Sequence, residues 1–168
     1  KVKDAIGREW QMATIQLDFN LPRRFGVKYR DEKGGEDFVV MIHRAIYGSF
    51  ERFIGILTEH YAGAFPIWLS PIQVAVIPVG KKHILHSKKL GRELSAAGIR
   101  VQVDDANETV GYKIRNAEKK KIPYMLVIGD KEMKSPKLHV RSRGKKSIAI
   151  LAKQRFIQEL QRSIERKK

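Results

Sequence analysis

The chain has 168 residues, 42% hydrophobic and 31% charged, and its 34 Lys/Arg against 18 Asp/Glu give a formal net charge of +16. That length holds one ordinary domain or two compact pieces with a packed core. The lack of cysteine excludes disulfides and thiolate-bound metals; no apolar run approaches the roughly 20 residues that span a bilayer and the start carries no secretory pattern, so the expected setting is the cytoplasm.

The first readable element is "WQMATIQLDF" (10–19), where Ala13, Ile15, Leu17 and Phe19 alternate as in a half-buried strand. "LPRRFG" and "RDEKGGED" read as loops, with Gly34 and Gly35 as turn residues. "FVVMI" (38–42) reads as a second strand, too uniformly apolar to have a wet face. A helix is expected after Ser49 as N-cap, with Phe50, Phe53, Ile54 and Leu57 on one stripe and Gly63 as the stop. "AFPIWLSP" (64–71), with two prolines, marks a boundary, and the charge changes there as well. Residues 1–70 hold 10 Lys/Arg and 9 Asp/Glu, leaving 24 and 9 to residues 71–168. A basic second part favours encounter with polyanions and counterion release on nucleic acid. A basic surface serving solubility alone is the plainer alternative. A membrane partner fits poorly, because the charge spans several elements instead of one amphipathic helix.

Past the boundary, strand and helix alternate. "VAVIPV" (74–79) is a strand and residues near 81–97 a basic helix ending at Gly98. "IRVQVD" (99–104) follows as a strand, then a helix over 107–121 capped by Asn107, with Val110, Ile114 and Ala117 inward. "YMLVIGD" (124–130) and "LHVRSR" (138–143) are strands, and a closing helix covers roughly 152–166. Strands joined through helices imply an α/β fold with parallel neighbours and right-handed crossovers.

"GREWQMATIQLDFNLPRRFGVKY", "VMIHRAIYGSFERFIGILTEHYAGAFPIWLSP" and "VDDANETVGYKIRNAEKKKIPYMLVIGDKE" together resemble the C-terminal part of the threonyl-tRNA synthetase family, and the middle stretch resembles motif 3 of class II aminoacyl-tRNA synthetases. The resemblance runs over essentially the whole chain. It implies that residues 1–65 are an antiparallel-strand-plus-helix remnant of the catalytic domain, that 66–72 are a linker, and that 73–168 are an anticodon-binding domain with a mixed five-stranded sheet and flanking helices. The family's dimer-forming motif, second motif and editing domain have no counterpart here, so the chain reads as a piece of an enzyme. A whole enzyme would be a homodimer using threonine, ATP, Mg2+ and threonine tRNA.

The residues carry chemistry of their own. His43 closes an apolar run, and a neutral imidazole is a good zinc ligand. From the residues alone it is a hydrogen-bonded strand-end histidine or a ligand, and His60, His83, His86 and His139 have no spacing that completes a site. The resemblance implies the ligand role, with two further ligands outside the chain; zinc would then demand the hydroxyl of threonine and so exclude valine. Arg52 stands in the first turn of its helix against the helix dipole, and by resemblance it packs on adenine and meets the γ-phosphate of ATP, tasks a flat guanidinium suits. Arg44 reads as structural. Gln11, Thr14 and Gln16 correspond to positions lining the threonine and adenylate pocket. Thr14 and Gln16 share a strand face, whereas Gln11 has the opposite parity, so all three meet one pocket only if the strand bends near 11–13. Met12 stands where the family commonly has cysteine.

For RNA, an exposed anticodon loop is read by polar side chains at base edges and cations at phosphates. Asn107, Lys113 and Arg115 lie at or along one helix, with Glu132 and Arg141 further on. The resemblance implies anticodon contacts for Asn107, Arg115, Glu132 and Arg141, while Lys119, Lys120, Lys121, Lys145 and Lys146 suit general phosphate attraction. The leading expectation is a threonine-tRNA ligase segment that keeps anticodon recognition but does not form adenylate alone. The alternative is a non-catalytic RNA-binding accessory protein on the same fold.

Overall fold

Asp4 organises the first turn. In the computed structural model, which describes residues 1–167, Asp4 Oδ1 accepts the backbone N–H groups of Ile6 and Arg8, and Oδ2 accepts Arg8 Nε at 2.6 Å and Trp10 Nε1 at 2.9 Å. Four donors satisfy a carboxylate that water scarcely reaches. They close β1 (Val2–Lys3) onto β2 (Glu9–Trp10) as an antiparallel pair. The strand expected over 10–19 is broken: residues 11–13 leave strand geometry, and β3 runs Thr14–Asp18. The short helix α1 (Asn20–Arg24) replaces part of the first expected loop. β4 (Lys28–Arg30) and β5 (Glu36–Phe38) form a hairpin whose turn is held by Asp31 Oδ1, which accepts Lys33 and Gly35 N–H. "FVVMI" is likewise split, between β5 and β6 (Met41–Ala45).

β3 pairs with β6, placing Ile15 opposite Arg44, Gln16 opposite His43 and Leu17 opposite Ile42. Directly opposed residues share a face. One face therefore carries Ile15, Leu17 and Ile42, and these are 70, 61 and 63% exposed. The expected half-buried apolar face and dry second strand are thus overturned, because within this unit nothing covers the two-stranded ribbon on that side. The half-buried face is instead the polar one, with Thr14, Asp18 and His43. α2 (Phe50–His60) begins at Ser49, whose hydroxyl accepts the Arg52 N–H. On its expected stripe Phe53 and Leu57 are half-buried, while Phe50 and Ile54 are exposed. Phe53 stacks on Tyr47 with ring centroids 4.7 Å apart.

A second compact unit starts at Ala62. Its segment 62–72, which includes the expected linker, is gripped by side chains of the same unit. Arg143 donates to the carbonyls of Ala64 and Phe65, Arg100 to those of Trp68 and Ser70, and the buried Gln73 amide to that of Ile67. Eleven residues without regular structure would otherwise leave these carbonyls unpaired against the domain.

The sheet of this unit comprises β7 (Val74–Pro78), β8 (Val101–Val103), β9 (Tyr124–Ile128), β10 (Lys137–Ser142) and β11 (Ile148–Ala152), in the order β11-β10-β9-β7-β8. β7 runs parallel to both β8 and β9, and β10 is antiparallel to β9 and β11. Every residue of β7 is buried, which is why "VAVIP" shows no alternation. A 3-10 turn (Lys81–His83) leads into α3 (Ile84–Ala96), which packs with α6 (Lys153–Glu165) on one face over Val74, Val76, Leu126 and Val140. α4 (Val110–Lys119) covers Ala75, Ile77 and Met125 on the other. Its N-cap is Thr109, whose hydroxyl accepts Tyr112 N–H, and not Asn107 as expected. Asn107 lies in the preceding loop, two residues too early for the helical phase. The short α5 (Asp130–Lys134) links β9 to β10. Among the described residues no helix is long and apolar enough to cross a membrane.

Candidate functional site

In the first unit the start of α2 meets the break at residues 11–13, immediately before β3. Gly48 has φ +66°, and a Cβ there would lie 3.4 Å from the Met12 carbonyl. That approach seats the turn before α2 on the break at 11–13, with Met12 buried beneath, and Arg52 Nη1 donates to the Gln11 carbonyl at 3.3 Å. Gln11 and Arg52 are therefore neighbours, and Gln16 lies beside His43 across the ribbon. The rest of the Arg52 guanidinium is exposed.

His43 Nε2 lies 2.9 Å from Asp18 Oδ2. The hydrogen bond from His43, with the N–H groups of Leu21 and Asn20, holds the Asp18 carboxyl below its usual range. An ionised Asp18 accepts, so neutral His43 carries its proton on Nε2 and keeps the Nδ1 lone pair for another partner. Carboxylates orient metal-binding histidines in this way. Among the described residues no group of three His, Cys, Asp or Glu is gathered that could hold a metal. His43 fits one position of such a centre. Asp18 was missed in the sequence, although its parity with Thr14 and Gln16 placed it on the same face.

In the second unit, polar groups gather beyond the C-terminal ends of the parallel strands, where strand order reverses at β7; open α/β sheets bind ligands at such points. Gly80 N–H donates to His83 Nδ1 at 3.0 Å, so His83 Nε2 carries the proton and donates to Asp130 Oδ1 at 3.1 Å. Lys82 joins Asp130, and the hydrogen bonds from Lys82 and then His83 hold that carboxyl low. This contact ties the loop after β7 to the one after β9. Between the loops after β7 and β8 lies a crevice of about 550 Å³, lined by Val79, Asn107 and Lys113 among others.

Glu132 lies in α5. One oxygen accepts Gly129 N–H and the other meets His139 Nδ1. Burial raises this carboxyl, but those hydrogen bonds outweigh it and the group sits below its ordinary value. His139 and Arg141 share a sheet face with Ile150 and Ile148, their partners on β11. Both isoleucines are exposed, so this part of the face is open and Arg141 lies about 7 Å along it from His139. Arg115 is on the exposed side of α4, next to Tyr112 one turn earlier, also exposed. Glu132 and Arg141 are thus brought onto one open surface and Asn107 into the crevice, while among the described residues Arg115 has no hydrogen bond or ion pair to any of the three. Sequence reasoning missed Tyr112 and His139 as members of these surfaces; an aromatic ring beside an arginine on a basic helix was the available signal.

Residues 73–163 match the family described as the anticodon binding domain, and residues 1–61 match the class II tRNA synthetase core domain of the G, H, P, S and T type. A threonine-tRNA ligase of Thermotoga neapolitana is 53% identical over 167 residues, covering 99% of this chain and 26% of its own length. Those of Petrotoga mobilis and Desulforamulus reducens are 52 and 49% identical, again over 26% of their length. A crystal structure described as the RNA binding domain of threonyl-tRNA synthetase from Cryptosporidium parvum superposes with a TM-score of 0.79 at 39% identity, covering 96% of this chain and 41% of that one. The chain spans about a quarter of the length of the curated relatives it matches. It belongs to the anticodon-binding-domain family of class II aminoacyl-tRNA synthetases, joined to part of a class II core, in the form found in threonine-tRNA ligases.

Proposed function

We propose that the chain is the tRNA-reading part of a threonine-tRNA ligase, whose whole enzyme is a cytoplasmic homodimer that attaches threonine to its tRNA at the expense of ATP with Mg2+. The observation that carries this reading is the similarity of 99% of this chain to a quarter of a threonine-tRNA ligase, set on a domain whose open sheet face bears Arg141 and whose sequence beyond residue 70 holds 24 Lys/Arg against 9 Asp/Glu. The proposed division is a catalytic remnant over 1–65, a connecting segment over 66–72 and an anticodon-binding domain over 73–168.

Asn107, Arg115, Glu132 and Arg141 are the proposed anticodon contacts. Arg141 offers a fork of donors to a base edge. Glu132 offers whichever lone pairs its bonds to Gly129 and His139 leave free. In the core portion Arg52 is the proposed ATP contact, and Gln11, Thr14 and Gln16 line the amino-acid and adenylate pocket. His43, oriented by Asp18, is one proposed zinc ligand. Zinc, when bound with ligands from elsewhere in the enzyme, supplies Lewis acidity toward the amino and hydroxyl groups of threonine. With only these pieces the chain forms no adenylate, and threonine-dependent ATP–pyrophosphate exchange by the isolated chain would contradict that.

The test is mutational. Asn107→Ala and Arg141→Ala should each weaken binding of a threonine-tRNA anticodon stem-loop by about tenfold and blunt its base preference. Lys145→Ala with Lys146→Ala should weaken all loops alike and lower the salt slope by about one for each phosphate no longer neutralised. Identical behaviour of the two sets would refute the assignment.

A further inference from the structure

β8 is the last strand of its sheet, and among the described residues no strand pairs with its outer side. Its inner side is fixed by the ladder to β7. Val74 N–H donates to the Arg100 carbonyl and Asp104 N–H to the Val76 carbonyl, in a parallel register that sets Val74 beside Val101 and Val76 beside Val103. In a parallel ladder alternate residues turn N–H and C=O toward the same neighbour. Arg100, Gln102 and Asp104 therefore face β7, while Val101 and Val103 turn their donors and acceptors outward. Such an edge is a template for another strand.

A groove runs beside this edge. α3 contributes Lys88, Gly91, Arg92 and Ser95, one side of the helix at i, i+3, i+4 and i+7, and β8 contributes Val101 and Val103; together they line about 420 Å³. Gly91 is the floor, since a Cβ there would lie 2.7 Å from Val103 Cγ2. The stretch of helix along the groove is about 10 Å long, which matches about three residues of extended chain. Two cations stand on its rim. The Lys88 ammonium meets Asp105 at 2.7 Å, at the C-terminal end of β8. Arg92 Nε donates to the Lys88 carbonyl, and its exposed guanidinium forms no ion pair among the described residues.

Charge and hydrogen-bonding pattern select the occupant. Beyond residue 70 the chain holds 24 Lys/Arg against 9 Asp/Glu, so a second copy would bring like charge to Lys88 and Arg92. An RNA backbone suits the cations but presents no regular row of donors to the outward carbonyls and leaves the valine side chains uncovered. An extended acidic polypeptide satisfies all three features. We propose that the groove between α3 and the β8 edge docks an acidic segment of a partner protein as an added strand. Its main chain pairs with Val101 and Val103, alternate apolar side chains lie over Gly91, and flanking carboxylates meet Arg92 and Lys88. This inference stands independently of the anticodon contacts.

The experiment titrates the full chain with a capped synthetic peptide, Glu-Glu-Val-Thr-Val-Glu-Glu, by fluorescence anisotropy, and follows amide hydrogen exchange of the saturated chain by NMR. The Val101 and Val103 amides should exchange about tenfold more slowly or less. Arg92→Glu should weaken the peptide by about fivefold, and Ser95→Tyr, which fills the groove, should weaken it at least as much. Lys119→Glu, the same change of charge on α4, should leave binding within about twofold. All three variants alter exposed side chains and should unfold at the wild-type urea concentration. Peptides with Lys for Glu, or with Pro for Thr, should not bind. The inference is overturned if the acidic peptide does not bind, if it leaves the exchange of Val101 and Val103 unchanged, or if Arg92→Glu and Lys119→Glu weaken it equally, the mark of attraction by net charge alone. Protection of the same two amides by an anticodon stem-loop and not by the peptide would overturn it in favour of RNA.

Discussion

Gln73 is the joint between segment 62–72 and the sheet of the second unit, and removing its amide should loosen both. The side chain is fully buried, donates to the Ile67 carbonyl at 2.8 Å and accepts the Arg100 N–H at 2.9 Å. In Gln73→Leu the Ile67 carbonyl keeps longer contacts to Ser70 N–H and Arg100 Nη2, at 3.3 and 3.4 Å. The Arg100 N–H loses its acceptor. One lost hydrogen bond is worth about 1 kcal/mol and one stranded donor about 1–3, offset in part by the added apolar surface, so a net loss of about 2 kcal/mol is expected. For a domain near 100 residues that lowers Tm by about 8 °C. The chain has two tryptophans, and Trp10→Phe leaves Trp68, whose carbonyl Arg100 holds at 2.7 Å, as a fluorescent reporter of this region. Gln73→Glu keeps the acceptor for Arg100 but faces a carbonyl with an oxygen and buries a charge, so it should be worse than Gln73→Leu. A shift below about 2 °C for Gln73→Leu, with Gln73→Glu no worse, would refute the claim that segment 62–72 is fastened through this amide.

Other outcomes follow from the same structure. A Cβ on Gly91 would lie 2.7 Å from Val103 Cγ2, so Gly91→Ala should cost about 1–3 kcal/mol in urea unfolding. Most of that should return in the double variant with Val103→Ala, and simple additivity would deny the contact. Asp18 is held below its ordinary 3.8, chiefly by the hydrogen bond from His43. Its contribution to stability is therefore fully present above about pH 4 and is lost as pH falls through the lowered value. Asp18→Asn should flatten that acid limb of the first unit's unfolding curve, and an unchanged limb would count against the His43 pairing. Threonine at Ile15, Leu17 and Ile42 should cut binding of a hydrophobic dye and self-association while leaving the β3–β6 pairing intact. Undiminished dye binding would show that another surface is responsible.

The legible parts of the fold were those where one physical effect dominates. "VAVIP" could only be a strand covered on both faces, and Ser49 stood one residue before a helical stripe that needed a cap. β11 escaped because "SIAILA" follows a basic turn and runs directly into α6, so its short alternation merged with the helix. The cap of α4 was misplaced because Asn107 and Thr109 both qualify chemically, and only the helical phase favours the second. The two-stranded ribbon of the first unit reversed the usual sign of burial. On the β3–β6 ribbon Ile15, Leu17 and Ile42 face outward while Thr14, Asp18 and His43 are half-covered, so a pattern that equates apolar with inside assigned the wrong face. The site was partly legible for the same reason in reverse. Polar residues at like parity, Thr14, Gln16 and Asp18, meet His43 across the ribbon.

The central claim is that the basic second unit reads bases and does not merely attract RNA. Fluorescence-anisotropy titration at fixed salt, with the anticodon stem-loop of threonine tRNA and loops differing by one anticodon base, tests it directly. Each replacement at a contacted position should weaken binding by roughly tenfold, with the salt slope unchanged. Equal affinity for every loop, with a steep common salt dependence, would contradict the claim and leave only electrostatic attraction.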